Sequence, residues 1–484
     1  MENLKNLKLA SLLLVMGIAI FSTGCDKADD VETPTPQIMD LGDGSEAYEI
    51  NSDMTLKYPN TYNLKGFVYV PSGKTLTVEP GVIIKGDKAS KATLIIERGG
   101  KIIAQGTKER PIVFTSSQAP GSRKPGDWGG LILLGKAKNN MGEQTIEGGV
   151  RSKHGGNDDN DNSGVLSYVR VEFAGIEYSI DNEINGITFG SVGSGTKIDH
   201  LQVSHSGDDS FEWFGGTVNA KYLVALRGWD DDFDTDNGFS GKIQFALSLR
   251  DPKVADKSAS NGFESDNNAA GAKDAEPFTS AVFANVSMFG PVSDTKNYSN
   301  SSVTNGSTVD ARFQAGLHLR RHTKLSIYNS LIAAFPVGLI IENDKGSDTQ
   351  GNATAGDLNV TNCVIAGCIK NFQDKQVWSN GFQIDTVNAN ADAFVKSYFE
   401  RSGSGNKTFA TLSELKLGSN PLNLTASDIF PQAGSPLATG AVWTGKVASG
   451  FDKVNYLGAF APSETKENNW MSGWTNFDPQ NTVY

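Results

Sequence analysis

An all-β solenoid is the fold this sequence predicts, and three observations predict it. Ser210-Phe211-Glu212, Asp232-Phe233-Asp234 and Gly262-Phe263-Glu264 each set an aromatic residue beside an acidic one, each a few residues after a strand-like run. The first two copies lie 22 residues apart and the third 30 further on, the excess being the polar insertion from Asp251 to Ser260. Gly316-Leu317-His318 and Gly338-Leu339-Ile340 repeat the form, again 22 residues apart. A fixed period of that length marks stacked coils, in which residues one period apart become neighbours. Composition agrees: 53 glycines and 20 % charged residues in 484 suit short strands and many turns.

Partner strands are expected at Ile198 to Ser206, Ala220 to Arg227, Lys242 to Leu249, Ser280 to Met288, Leu325 to Ala333 and Leu358 to Ala366. Alternation along a strand then sends Phe211, Phe233, Phe263, Leu317 and Leu339 inward as one column. The outward column beside it is Glu212, Asp234, Glu264 and His318, and two residues on lie Phe214, Asp236, Asp266 and Arg320. Arg321 falls on the inward phase, so its strand is expected to end before it.

The N-terminus reads as an export signal. Lys5 and Lys8 precede an apolar run from Leu9 to Phe21, whose 13 residues are too few for a membrane span of about 20. Residues 1–24 are a signal peptide on this reading, and 25–48, with Pro34 and Pro36, a flexible tether. Ordered structure is expected from near Leu64, a β-helical body over 49–407 and a C-terminal cap over 408–484. The cap, carrying Trp443, Trp470, Trp474 and Phe477, is expected to seal the last coil, because an open end exposes strand edges. Polar excursions at Asp294 to Arg312 and Lys345 to Gly356 read as flaps.

The net charge is −12, or −13 without Met1 to Gly24, which carries Lys5 and Lys8 against Glu2. That excludes nucleic acid as a partner and favours cations or uncharged ligands. Cys363 and Cys368 are expected buried and unbridged. No GxSxG, HExxH, Walker A or GxGxxG pattern occurs.

Several phrases resemble known families. "Leu-Thr-Val-Glu-Pro-Gly-Val-Ile-Ile-Lys-Gly" from Leu76 and "Lys-Ile-Ile-Ala-Gln-Gly-Thr-Lys-Glu-Arg-Pro-Ile-Val-Phe-Thr" from Lys101 resemble the opening coils of right-handed parallel β-helices of the pectate-lyase-like superfamily. Ser22-Thr23-Gly24-Cys25 resembles a lipobox, with Ser22 where leucine is usual, and implies lipidation at Cys25. Asp26-Lys27-Ala28-Asp29-Asp30 resembles the signal that carries Bacteroidetes lipoproteins to the outer face of the outer membrane. The whole chain is similar to a group of such β-helix lipoproteins. The resemblance implies a right-handed parallel β-helix with polar loop insertions and an irregular C-terminal cap, a monomer anchored to the membrane through lipid alone and facing the cell exterior.

Stacked acids set the functional question. With strands about 4.8 Å apart, neighbouring charges near 5 Å repel by about 0.8 kcal/mol in water and roughly 3 at an effective dielectric of 20. A cation, a raised pKa or the nearby His318 and Arg320 would relieve them. Resemblance to pectate lyases makes Asp234, Asp236, Glu264 and Asp266 calcium (Ca2+) ligands against a uronate and Arg320 the base. Resemblance to polygalacturonases makes the aspartates acid and base, assisted by His318 and a basic residue. The corners add Asp208, Asp209, Asp230 and Asp231 as metal ligands, with His205 and Arg227 placed to pair with them. Asp159 and Asp161, ahead of Ser163 and Gly164, form half of a calcium-type loop. Trp213 and Trp229, with Glu212, are candidates for sugar contact. The expected function is cation-assisted binding of an extracellular ligand, a glycan first. The alternatives are a polysaccharide lyase or glycoside hydrolase on the same wall, and a non-catalytic accessory of an outer-membrane transporter.

Overall fold

The computed structural model describes residues 35–180, 182–292, 309–376 and 392–484. The signal peptide, Cys25 and most of the excursion from Asp294 lie outside these residues. Pro36–Tyr484 forms one compact unit, a right-handed parallel β-helix. One wall holds eleven strands, among them Ile187–Val192, Phe211–Gly216, Phe233–Asp236, Phe263–Ser265, Ala315–Leu319 and Val337–Ile341. The predicted inward column is in register: Phe211 pairs with Phe233, Phe233 with Phe263, Phe263 with Leu317 and Leu317 with Leu339. Their rings stack at 5.7 Å (Phe211 on Phe233) and 5.0 Å (Phe233 on Phe263), filling the interior where strands are too close for side chains to do anything else.

Apart from two small antiparallel hairpins, the other strands of the described residues form two walls that fuse midway. Gly164–Glu172, Lys197–Ser204, Ala220–Leu226, Lys242–Leu249 and Val282–Phe289 each cross both, bending at one residue in the left-handed region. The bend residues are Tyr168, His200, Tyr222, Phe245, Asn285, Asn329 and Asn362. Asparagine tolerates this conformation, and the aromatic residues offset its strain by stacking, Tyr168 on His200 at 4.2 Å and His200 on Tyr222 at 4.4 Å. The bends at Asn329 and Asn362 divide the two strands read as continuous from Leu325 and Leu358.

Two regions differ from expectation. Ile38–Leu41 pairs with Thr61–Leu64, so the fold begins well before Leu64, within the stretch read as tether. The C-terminal aromatic segment does not close the last coil. Ala393–Phe399, a short helix, packs there, Phe399 against Phe372 at 5.0 Å and Tyr398 donating to the Leu358 carbonyl. After Lys407–Phe409 pairs with Val364–Ala366, the chain runs back along the flank against the direction of coiling. Asn362 holds Gly440, Asn329 holds Val442, Gln202 holds Asn476, and Lys85 reaches the Tyr484 carbonyl. The bend ladder explains the path: its outward aromatic and amide side chains make a continuous seat, on which Trp474 packs edge-on to Tyr168 and His200. The stretch from Lys345 holds a helix, Thr349–Ala355, with Asp348 accepting the Gly351 N–H as its cap. Cys363 and Cys368 are buried and neither is in a disulfide; burial pushes the Cys363 thiol up to about 12.

Candidate functional site

Strand pairing aligns Glu212 with Asp234, Asp234 with Glu264 and Glu264 with His318 on the face opposite the Phe column. The corner preceding each strand folds its own acids onto that face. Ligand-capable oxygens of Asp208, Asp209 and Asp230 lie within 4.8 Å of one another, as do those of Asp209, Glu212 and Asp234, and those of Asp231, Asp234 and Glu264. Glu147, Glu183, Asn185 and Asp256 join them around a cavity of about 260 Å³.

The two ends of this acidic column are neutralised differently. At the far end, Arg320 Nε donates to Asp266 Oδ1 at 2.9 Å and its Nη2 reaches Glu264. Arg321 follows the end of Ala315–Leu319, turns left-handed (φ 46°) and bonds Asp266 and Asp344. His318 lies fully buried between Glu264 (3.6 Å) and Glu342 (2.8 Å). Burial alone would raise Glu264, but Arg320 and His318 outweigh it and hold the carboxyl down to about 2. Burial would lower His318, but the two glutamates keep it above its ordinary value.

At the near end Lys257 lines the cavity, and burial still prevails. Burial first, and then mutual repulsion, holds Asp208, Asp209, Glu212, Asp231 and Asp234 well above the usual carboxylate range. Burial and Asp256 bring Asp230 to about 7, and burial and Asp266 bring Asp236 to about 8. Acids raised in this way hold protons more tightly than free carboxyls do, and a bound cation would favour their release.

Several expected roles change. Arg320 is not a base: burial disfavours its charge, yet Glu264 and Asp266 raise its pKa well above an already high value. His318 is interior rather than on an exposed wall. Trp213 shares the inward phase of Phe211 and stacks between Phe189 (5.5 Å) and Phe239 (5.3 Å), so it belongs to the core and touches no outside ligand. Asp159 accepts the Lys138 N–H and pairs with its ammonium, and Asp161 accepts the Lys136 N–H. That loop therefore spends its carboxylates on holding the chain, away from the wall. His205 stacks on Phe173 and Arg227 faces Asp251 at 3.5 Å, so neither pairs with the corner acids. Trp229 is 41 % exposed. It borders a groove of about 590 Å³ that shares Glu183, Asp256 and Lys257 with the acidic cavity. Gly126, Gly175 and Gly207 line this groove; a Cβ on Gly207 would meet the Gly175 carbonyl at 2.5 Å.

Glu147, Glu183 and Asp256 were not legible in the 22-residue period, because excursions rather than the coil positions deliver them, whereas Asn185 was, since Ile187 pairs with Phe211 and so puts Asn185 level with Asp209. Glu342 was: Leu319 pairs with Ile341, which puts Glu342 next to Arg320.

The sequence model described as "Pectate-lyase like beta helix domain" matches residues 48–414. No curated protein and no solved structure matches the chain. With most of its length so matched, and its coils stacked as that description requires, the chain belongs to the pectate-lyase-like β-helix family.

Proposed function

We propose that this chain is a lipid-anchored protein of the outer membrane, facing the cell exterior, that binds a glycan on its acidic wall with the help of a divalent cation. The observation that carries the reading is the junction of a carboxylate-rich cavity with a groove bordered by an exposed indole. Calcium fits the donors. It takes hard oxygen ligands at about 2.3–2.6 Å, so two oxygens on one ion stand no more than roughly 5 Å apart, and the clustered oxygens lie within 4.8 Å. Asp208, Asp209, Glu212, Asp230 and Asp234 would hold it. When bound, the ion supplies positive charge for hydroxyl or carboxylate oxygens of a sugar. Trp229 offers a flat apolar face for a pyranose ring, and the glycine-lined floor lets the ring approach the backbone. The lipobox-like Ser22-Thr23-Gly24-Cys25 and the acidic stretch after it support the location.

A glycan panel, screened on the protein with calcium and again with chelator, tests this. Binding that appears only with calcium is expected; a panel that stays blank under both conditions sinks the proposal.

One observation favours a second reading, a polysaccharide lyase or glycoside hydrolase. Burial and Glu264 push Asp234 well above the usual carboxylate range, while Arg320 and His318 hold Glu264 down to about 2, the unlike pair that acid–base cleavage of a glycosidic bond uses. New reducing ends, or ultraviolet absorbance from unsaturated products, would establish it.

A further inference from the structure

We propose that the cavity is a two-ion site in which the Asp209 carboxylate is shared, one position completed by Asp208 and Asp230 and the other by Glu212 and Asp234. The inference rests on the cation reading above and specifies its stoichiometry and ligands. Two of the oxygen clusters have Asp209 in common. Its Oδ1 accepts the Asp231 N–H at 2.8 Å, which fixes the carboxylate between neighbouring coils and leaves Oδ2 for the cavity.

Clustered acids alone would say little, but each set also contains a buried oxygen with no hydrogen-bond partner: Asp230 Oδ1 in the first, Asp234 Oδ1 in the second. Beside Glu212, Asn185 is 1 % exposed and its amide oxygen is likewise unpartnered, while its amide nitrogen donates to Glu147 and Glu212. Buried acceptors are ordinarily satisfied, and three orphaned oxygens on one cavity point to a ligand that accepts lone pairs. Charge favours two ions. The cavity lining carries eight carboxylates against the ammonium of Lys257, a balance of −7 when all are ionised; one divalent ion leaves −5 and two leave −3. The third cluster takes no ion, because Glu264 is already bound by Arg320 and His318 and Asp231 Oδ1 accepts the Asn261 N–H.

Isothermal titration of the chelator-stripped full chain with calcium chloride tests the proposal. Two ions per chain are expected. Asp208→Asn and Glu212→Gln should each leave one, and Asp209→Asn should weaken both by about tenfold or more. Circular dichroism melts verify that the variants fold, and if Asp209→Asn does not, the other two decide. A single ion in the wild type, or two that survive Asp208→Asn and Glu212→Gln unchanged, overturns the shared site while leaving cation binding intact. No ion at all overturns the cation reading as well.

Discussion

Arg320 and Asp266 meet Nε to Oδ1 at 2.9 Å, and the same guanidinium reaches Glu264 one coil position away. With Arg321 and His318, this clamp makes one end of the acidic column self-sufficient, while the other end depends on protons or ions. Replacing Arg320 with Met leaves Glu264 to His318 alone and Asp266 to Arg321 alone, both carboxylates largely buried. Removing one partner from a buried ion pair costs about 3–5 kcal/mol, so denaturant unfolding of Arg320→Met should show a loss of that order. A variant as stable as the wild type would mean that the clamp is dispensable.

The near end predicts an unusual pH response. A carboxyl whose pKa is raised on folding binds more protons folded than unfolded, so its contribution is greatest at low pH and is lost as pH rises through the folded value. Asp230 at about 7 and Asp236 at about 8 place that loss between about pH 4 and 8. In chelator, the melting temperature should fall over this window. Glu264 acts oppositely: held at about 2, its stabilisation is present above its unfolded value and is lost only as pH falls toward 2. Calcium replaces the missing protons, so at pH 8 it should restore the midpoint. Melts that are flat from pH 5 to 8 in chelator would show that the acids are ionised without strain.

Much of this site could be read before any coordinates. Strand alternation and a 22-residue coil suffice to stack Glu212, Asp234 and Glu264, since both periods follow from backbone geometry. Alternation also places Trp213 inside, two residues after Phe211, although an indole beside acids invites a binding role. What escaped lies where periodicity stops. Glu147 and Asp256 come from an excursion and an insertion whose paths depend on tertiary contact. The seat of the C-terminal segment exists only once Tyr168, His200 and Tyr222 have stacked, and no local pattern in Trp474 points to it.

The two tryptophans separate folding from recognition. Trp213 is fully buried among aromatic rings, so Trp213→Ala should cost about 3–5 kcal/mol of stability. Trp229→Ala should leave the melting temperature nearly unchanged and weaken glycan binding roughly tenfold, about 1.4 kcal/mol. Equal glycan affinity in wild type and Trp229→Ala would remove the indole from the binding groove.

The flank contact makes a sharper claim about stability. Glu172, fully buried, accepts from Thr115 Oγ1 at 2.9 Å and from the Tyr484 hydroxyl at 2.6 Å, with Arg170 at 3.4 Å. Burial raises its pKa, and these partners only partly offset that. Tyr484→Phe keeps the ring beneath Arg123 and Arg170 but strips one donor from a buried carboxylate. Leaving such an acceptor short costs about 1–3 kcal/mol, and hydrogen exchange should show the loosening confined to the segment after Trp474 and the coils it covers. Unchanged exchange there would mean that Arg170 and Thr115 satisfy Glu172 without the tyrosine.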